Sequence, residues 1–297
     1  NSGLSSARNT GILVSKGDFI QFLDADDMLG FNSLKGRFTI MMKNPDISVG
    51  ICRTKMFINT KNGRPNILYN KGWPTYTRHL HVHLCNFNIA PPNAFLIRRN
   101  VIDKIGFFDT SLEACEDYDF WLRALFKGYK FRYLKNGAVF YRHHPNSMSQ
   151  NIYRQRKYDT IMHKRLQKLI ANNEKFKCNI DVLMAFISGI LCTCLRLKSI
   201  NVDPSKDLFE LFEWAIDEIS IADKKMSFLT HYYFYESLLT LKYYRKISPI
   251  AEKIEKMLAL SVLEFIEYNH LKNILYSPDA DLLERYRMAK YIILSLI

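Results

Sequence analysis

Asp24, Asp26 and Asp27 close the apolar run Phe19-Ile20-Gln21-Phe22-Leu23, and carboxylates packed this closely at a strand end have the chemistry of a cation site. Side chains two residues apart on extended backbone point the same way, so the run predicts a buried strand with Asp24 and Asp26 converging at its C-terminal end. Like charges at such spacing repel, and a divalent metal or a cationic partner relieves them; all-oxygen ligation favours Mg²⁺ or Mn²⁺. The same residues also suit an acidic turn capping the helix that follows, because Asp is a favoured N-cap.

Other chemistry-bearing segments flank this one. Asn1-Ser2-Gly3-Leu4-Ser5-Ser6-Ala7-Arg8-Asn9-Thr10-Gly11 lies upstream. Downstream, Gly106-Phe107-Phe108-Asp109 precedes Glu116-Asp117-Tyr118-Asp119-Phe120-Trp121-Leu122-Arg123, and Tyr141-Arg142-His143-His144 comes later. A carboxylate at the start of a helix stays ionised through the helix dipole and the free N–H groups, and can then accept a proton from an attacking hydroxyl. An ordinary acidic first turn accounts for the Glu116-Asp117 pair equally well.

In order and spacing these segments resemble the GT-A glycosyltransferases of family 2, which move a sugar from a nucleotide diphosphate sugar to an acceptor hydroxyl; the likeness spans roughly the first half of the chain. The resemblance implies Asp24 near the nucleotide ribose and Asp26 on Mn²⁺ or Mg²⁺, with Asp27 as a further metal ligand. It implies His144 in the metal shell or against the diphosphate, with His143 as rival, Arg142 near phosphate oxygens, and Arg8 either against the diphosphate or buttressing the acidic loop. Asp117 becomes the candidate base, supported by Glu116. Pro91-Pro92-Asn93-Ala94-Phe95-Leu96-Ile97-Arg98-Arg99 resembles the family's acceptor-side strand, with Arg98 or Arg99 available to an anionic acceptor. The family's opening strand and its base-reading Asp have no counterpart before Asn1, so the chain reads as N-terminally incomplete, and such a fragment is expected to be inactive.

Positioning these residues requires an α/β domain. Apolar runs at Phe19–Leu23, Ile47–Cys52, Ala94–Ile97, Lys130–Leu134 and Ala138–Tyr141 predict strands, and Asn32–Lys43 and Glu116–Phe126 predict helices. Residues 1–150 form a partial GT-A domain by this reading, Rossmann-like with a mixed sheet. Residues 151–297 form an all-helical domain of unassigned role, broken near Asn172-Asn173, Asp203-Pro204, Ser248-Pro249 and Ser277-Pro278. His79, His81 and His83 alternate with apolar residues and predict an edge strand carrying three imidazoles on one face.

The 297 residues carry a formal net charge of +13, and residues 51–100 hold eight Lys or Arg without one Asp or Glu. This skew expects an anionic partner: nucleic acid, a nucleotide diphosphate, an acidic glycan or a membrane surface. The six cysteines form no CxxC pair, which suits free thiols and a cytoplasmic address, peripheral to a membrane if the acceptor is lipid-linked. The longest uncharged run, between Asp181 and Arg196, falls short of a bilayer span and reads as a buried helix.

The leading expectation is a metal-dependent, inverting glycosyltransferase using a UDP-sugar or similar donor and a glycan or lipid-linked acceptor, as in cell-surface polysaccharide or glycolipid synthesis, with no nucleic acid partner. Two rival readings use the same residues. One is a phosphotransferase with an aspartyl nucleophile in the Asp-x-Asp segment. The other is a non-catalytic basic module for nucleic acid or anionic glycan.

Overall fold

Helix α1 (Gly3–Val14) buries Ser5, Arg8 and Ile12, a face with helical spacing that carries a charged side chain inward. Strand β1 (Phe19–Gln21) follows, then β2 (Met28–Leu29), helix α2 (Ser33–Lys43), the long strand β3 (Val49–Lys61) and its hairpin partner β4 (Arg64–Trp73). After the short helix α3 (Leu80–Leu84) come strand β5 (Phe95–Arg98), helices α4 (Arg99–Ile105) and α5 (Glu116–Phe126), and strand β6 (Phe131–Arg142). This computed structural model describes residues 3–61, 64–73, 79–145 and 147–222, with single positions at 232, 233, 237 and 240. The chain divides into two units, Asn1–Tyr158 and Asp159–Ile297.

One mixed sheet organises the first unit, in the order β1-β5-β3-β6-β2, with β4 also paired to β3. β3 runs parallel to β6 and antiparallel to β4 and β5, and β1 runs antiparallel to β5, matching Phe19 to Arg98 and Gln21 to Leu96. The core sits where α2 meets this sheet: Met41, Ile47, Leu96 and Leu134 are buried together, with Phe19 and Ile40 packed against them. Gly50 in β3 lies so close beneath Leu134 and Met41 that a Cβ there would fall 2.5 Å and 2.8 Å from their side chains. Across the sheet, Trp121 of α5 stacks on Phe95 at 3.9 Å and Phe120 stacks on Phe108 at 4.2 Å. Burial of such side chains contributes roughly 1.5–3 kcal/mol each.

Three sequence expectations change here. The first strand ends at Gln21, not Leu23, because the Gln21 side-chain amide donates to Phe22 O and Asn93 O and the chain turns, with Asp27 N–H bonding Asp24 O at 3.1 Å. The two short runs at Lys130–Leu134 and Ala138–Tyr141 join into the single strand β6. The slack between them is a bulge at which Ile51 pairs Tyr133 but Arg53 pairs Ala138, with Gly137 at φ +94°. His81 and His83 lie on helix α3, with His79 at its N-cap, rather than on a strand. Leu80, Val82, His83 and Leu84 are all buried, and five residues buried almost throughout give no periodicity by which to choose between the two.

The second unit is helical in its described residues: the C-terminal part of α6 (Ile152–Ala171), then α7 (Glu174–Lys177), α8 (Ile180–Lys198) and α9 (Lys206–Ile221). The side chains of Asn173 and Asn179 accept N–H bonds from Phe176 and Val182, capping α7 and α8; the first lies at the expected Asn172-Asn173 break, and the second is a boundary the sequence reading did not mark. α8 is long and apolar enough by composition to cross a membrane, yet its side chains from Val182 to Leu191 are buried, so it serves as a core helix of this unit. The expected breaks at Ser248-Pro249 and Ser277-Pro278 lie outside the described residues.

Candidate active site

A single guanidinium joins the two acidic segments. Arg8, 7% exposed on α1, donates from Nη1 to Glu116 Oε1 at 2.6 Å and from Nη2 to Asp24 Oδ1 and Oδ2 at 3.0 and 3.2 Å. The loop after β1 and the N-terminus of α5, 92 residues apart in sequence, therefore share one counter-ion. Burial alone would weaken the charge on Arg8, but Asp24, Asp117 and Glu116 outweigh it and raise its pKa above the ordinary value. Next in the chain, Asn9 fastens the Gly-Phe-Phe-Asp segment by two reciprocal bonds to the Phe108 backbone, each 2.9 Å. Arg123 of α5 holds the same segment by donating to Ile105 O and Phe107 O, while pairing with Asp119 one turn back. Adjacent residues of the Ala-Arg-Asn segment thus orient two different parts of the site.

The three aspartates of the loop face different partners. Asp24 accepts both bonds from Arg8. Asp26, with nearly half its side chain in solvent, lies 3.0 Å from His144 Nε2 through its Oδ2. Asp27 turns inward: its Oδ2 accepts from Asn93 Nδ2 at 2.6 Å and its Oδ1 from the Arg142 backbone N–H at 2.8 Å. Burial, followed by repulsion from Asp26 and Asp24, pushes Asp27 up to about 7 against the Arg142 bond. Arg142 does not point a free fork at the loop. Its Nε donates to Asp26 O at 2.9 Å and its guanidinium lies over the Phe57 ring at 4.5 Å, so it clamps the acidic turn to the end of β6. Of the two adjacent histidines His144 reaches the loop, and the His143 N–H bonds Phe57 O.

At the other end, α5 opens with Cys115 in the left-handed region at φ 60°, without a side-chain cap, and with Glu116, Asp117 and Asp119 in its first turn. The acids complement the helix dipole. Asp117 is buried; its Oδ1 accepts from the Tyr118 N–H and its Oδ2 from Asn88 Nδ2, both at 2.8 Å. Desolvation and then the charge of Glu116 raise its pKa to about 7, while Arg8, Asn88 and the Tyr118 N–H pull the other way. A carboxylate poised there can take a proton near neutral pH.

Two site residues escape sequence reasoning. Asn88 binds the candidate base, and Asn93 binds Asp27 while its own carbonyl is held by Gln21. Asn88 lies in no motif, Asn93 lies in the Pro-Pro-Asn-Ala segment without a role read for its side chain, and only the tertiary fold brings these two to carboxylates 29 and 66 positions away. The buried Arg37 of α2 adds support by donating to Ala94 O and so steadying the Pro92–Ala94 turn that presents Asn93. The two arginines expected to meet an anionic acceptor are both engaged with backbone. Arg98 donates to Ile47 O and Met41 O, and Arg99 to Gly17 O and Ile12 O and to the hydroxyl of Ser15.

Among the described residues no three His, Cys, Asp or Glu side chains converge as a metal cage. The donors that do come together, Asp26 Oδ2 and His144 Nε2, are partly exposed. An oxygen and an imidazole donor open to solvent fit a divalent cation that completes its shell with substrate phosphates, the usual habit of Mg²⁺. The histidine trio at α3 forms no such cluster.

Residues 1–106 match the model of the family described as Glycosyl transferase family 2. The chain is 30% identical over 163 residues to the uncharacterized glycosyltransferase EpsJ of Bacillus subtilis, covering 52% of this chain and 46% of that protein. It is 26% identical over 143 residues to the uncharacterized glycosyltransferase MJ1057 of Methanocaldococcus jannaschii, covering 48% of each. The chain thus spans about half the length of these relatives. Among solved structures, S. aureus TarS 1–349 in complex with UDP is 19% identical with a TM-score of 0.48, over 85% of this chain and 72% of that one. The mixed sheet with its covering helices agrees with the α/β expectation, and residues 1–106 of the first unit are similar to glycosyl transferase family 2.

Proposed function

We propose that this chain contributes the catalytic centre of a metal-dependent, inverting glycosyltransferase that moves a sugar from a nucleotide diphosphate sugar, a UDP-sugar first among them, to a hydroxyl of a glycan or lipid-linked acceptor. The observation that carries the reading is the Arg8 bridge, which holds the donor-side loop and the Glu-Asp pair in one site. Asp117 is the base: the acceptor hydroxyl attacks the anomeric carbon, its proton passes to an Asp117 carboxylate oxygen, and the bond to the diphosphate breaks. Asn88 and the Tyr118 N–H fix the Asp117 carboxylate, and burial raises its basicity. Asp24, locked by Arg8, borders the nucleotide. Asp26 and His144 would hold Mn²⁺ or Mg²⁺, whose charge would offset the negative charge gathering on the leaving diphosphate. Asp27 and Arg142 keep the acidic turn in shape. An aspartyl nucleophile at Asp24 is less well supported, because both its oxygens already accept from Arg8.

The test is a screen of nucleotide sugars for Mn²⁺-dependent release of nucleoside diphosphate, using the longest natural polypeptide that contains this sequence. Turnover that disappears in Asp26→Ala, and donor binding that survives in Asp117→Asn without transfer, are the expected results. Transfer that persists in Asp117→Asn, or that is indifferent to chelators, overturns the assignment.

A further inference from the structure

Helix α2 is amphipathic in the reverse of the usual sense. Its buried face is Ser33, Arg37 and Met41, and its solvent face carries Leu34, Phe38 and Met42, exposed at 43, 43 and 55%. Positions i, i+4 and i+8 form one continuous ridge along a helix. The neighbouring ridge, Lys35, Thr39 and Lys43, is exposed as well and ends in a lysine on either side. Immediately before the helix, Phe31 is 95% exposed. Scattered apolar residues on a surface are ordinary, but an aligned apolar ridge bordered by lysines at the cost of an inward arginine is an interaction surface.

We infer that α2 docks on an anionic lipid bilayer, its apolar ridge entering the headgroup boundary and Lys35 and Lys43 meeting lipid phosphates. Charge decides the occupant. Helix α2 carries no acid, its exposed charges are Lys35 and Lys43, and the one acid between Met28 and Ile102, Asp46, pairs with Lys130. A second copy of this chain on the same face would bring lysine against lysine, in a molecule of formal net charge +13, whereas an anionic bilayer answers the apolar ridge and the lysines together. The inference stands independently of sugar transfer, because lipid binding is measured without donor or acceptor.

Sedimentation of the full chain with phosphatidylcholine vesicles, and with vesicles containing about one-third phosphatidylglycerol, tests it. Binding is expected to the anionic vesicles only and to weaken with salt. Phe31→Glu with Met42→Glu, both at exposed positions, is expected to lower the partition coefficient at least about tenfold with an unchanged thermal midpoint. Lys35→Glu with Lys43→Glu is expected to remove the preference for anionic lipid. Vesicle binding unaffected by the Phe31/Met42 pair overturns the inference. So does no binding to either vesicle, or a wild-type oligomer that the same pair dissociates, which would make this face a contact between copies.

Discussion

The raised pKa of Asp117 has a kinetic consequence with a definite sign. A carboxylate base works only when ionised, and a pKa of about 7 leaves Asp117 mostly protonated in mild acid. The ionised fraction is about one-tenth at pH 6 and about nine-tenths at pH 8, so kcat/KM for transfer should climb roughly tenfold across that interval on one limb. The causes of the shift predict how variants move the limb. Asn88 donates to the ionised form at 2.8 Å, and a bond to a charged group contributes ~1.5–3 kcal/mol, so Asn88→Ala should carry the limb up by about one to two pH units. Glu116 repels the ionised form, and Glu116→Gln also leaves more of the Arg8 charge to Asp117, so its limb should move down. Asp117→Asn itself should lose about 10²–10⁴-fold in turnover. The assay is nucleoside diphosphate release against pH at subsaturating acceptor. A flat profile between about pH 5.5 and 8.5, or Asn88 and Glu116 variants that shift the limb in the same direction, would refute the assignment of Asp117 as base.

Removing Arg8 strands Glu116, whose side chain is 10% exposed, more severely than Asp24, whose side chain is 29% exposed. Arg8→Met should therefore cost ~3–5 kcal/mol in urea unfolding, and adding Glu116→Gln should restore more of the loss than adding Asp24→Asn. Equal rescue by both would contradict the burial argument. At the β6 bulge, Gly137→Ala would require a side chain at φ +94° with its Cβ 2.7 Å from Ser33 Cα. The backbone alone accounts for ~1–2 kcal/mol, and a lowered urea midpoint at unchanged slope is the expected readout. Trp121, fully buried and stacked on Phe95, should cost ~3–5 kcal/mol as Trp121→Ala by the same measurement, without a change in the pH limb of any residual activity.

Legibility followed the length and periodicity of each element. Glu116–Phe126 was readable to the residue, because its apolar positions recur at helical spacing between an acidic start and a Lys-Gly stop. Asn32–Lys43 was readable as a helix, since its pattern needs only one turn-forming residue to begin, yet its inward Arg37 and outward Phe38 were not. Which face a helix buries depends on the partner, and the sheet beneath α2 has room for an arginine that reaches Ser33 O and Ala94 O. β4 drew no signal from the sequence. Its run Arg64–Trp73 mixes lysine, proline and asparagine, and pairing with β3 supplies the stability that composition does not.

The acidic loop shows why a motif can mark a site without assigning labour inside it. Two-residue periodicity puts Asp24 and Asp26 side by side only while the chain stays extended, and the strand ends at Gln21, where Asn93 and Gln21 draw the backbone into a turn. After that, each carboxylate is defined by a residue far away in sequence. Arg8 neutralises Asp24 from α1, His144 meets Asp26 from beyond β6, and Asn93 with the Arg142 backbone encloses Asp27. Exposure sorts them: Asp26, the most open, keeps the freedom to engage a ligand, and Asp27, the most enclosed, gives it up to hold the loop. Arg8 is the residue on which this division rests. Its two nitrogens satisfy one acid from each segment, and its remaining field favours the ionised form of Asp117, so the side chain that fixes the geometry of the site also opposes the burial and the Glu116 charge that raise the Asp117 pKa.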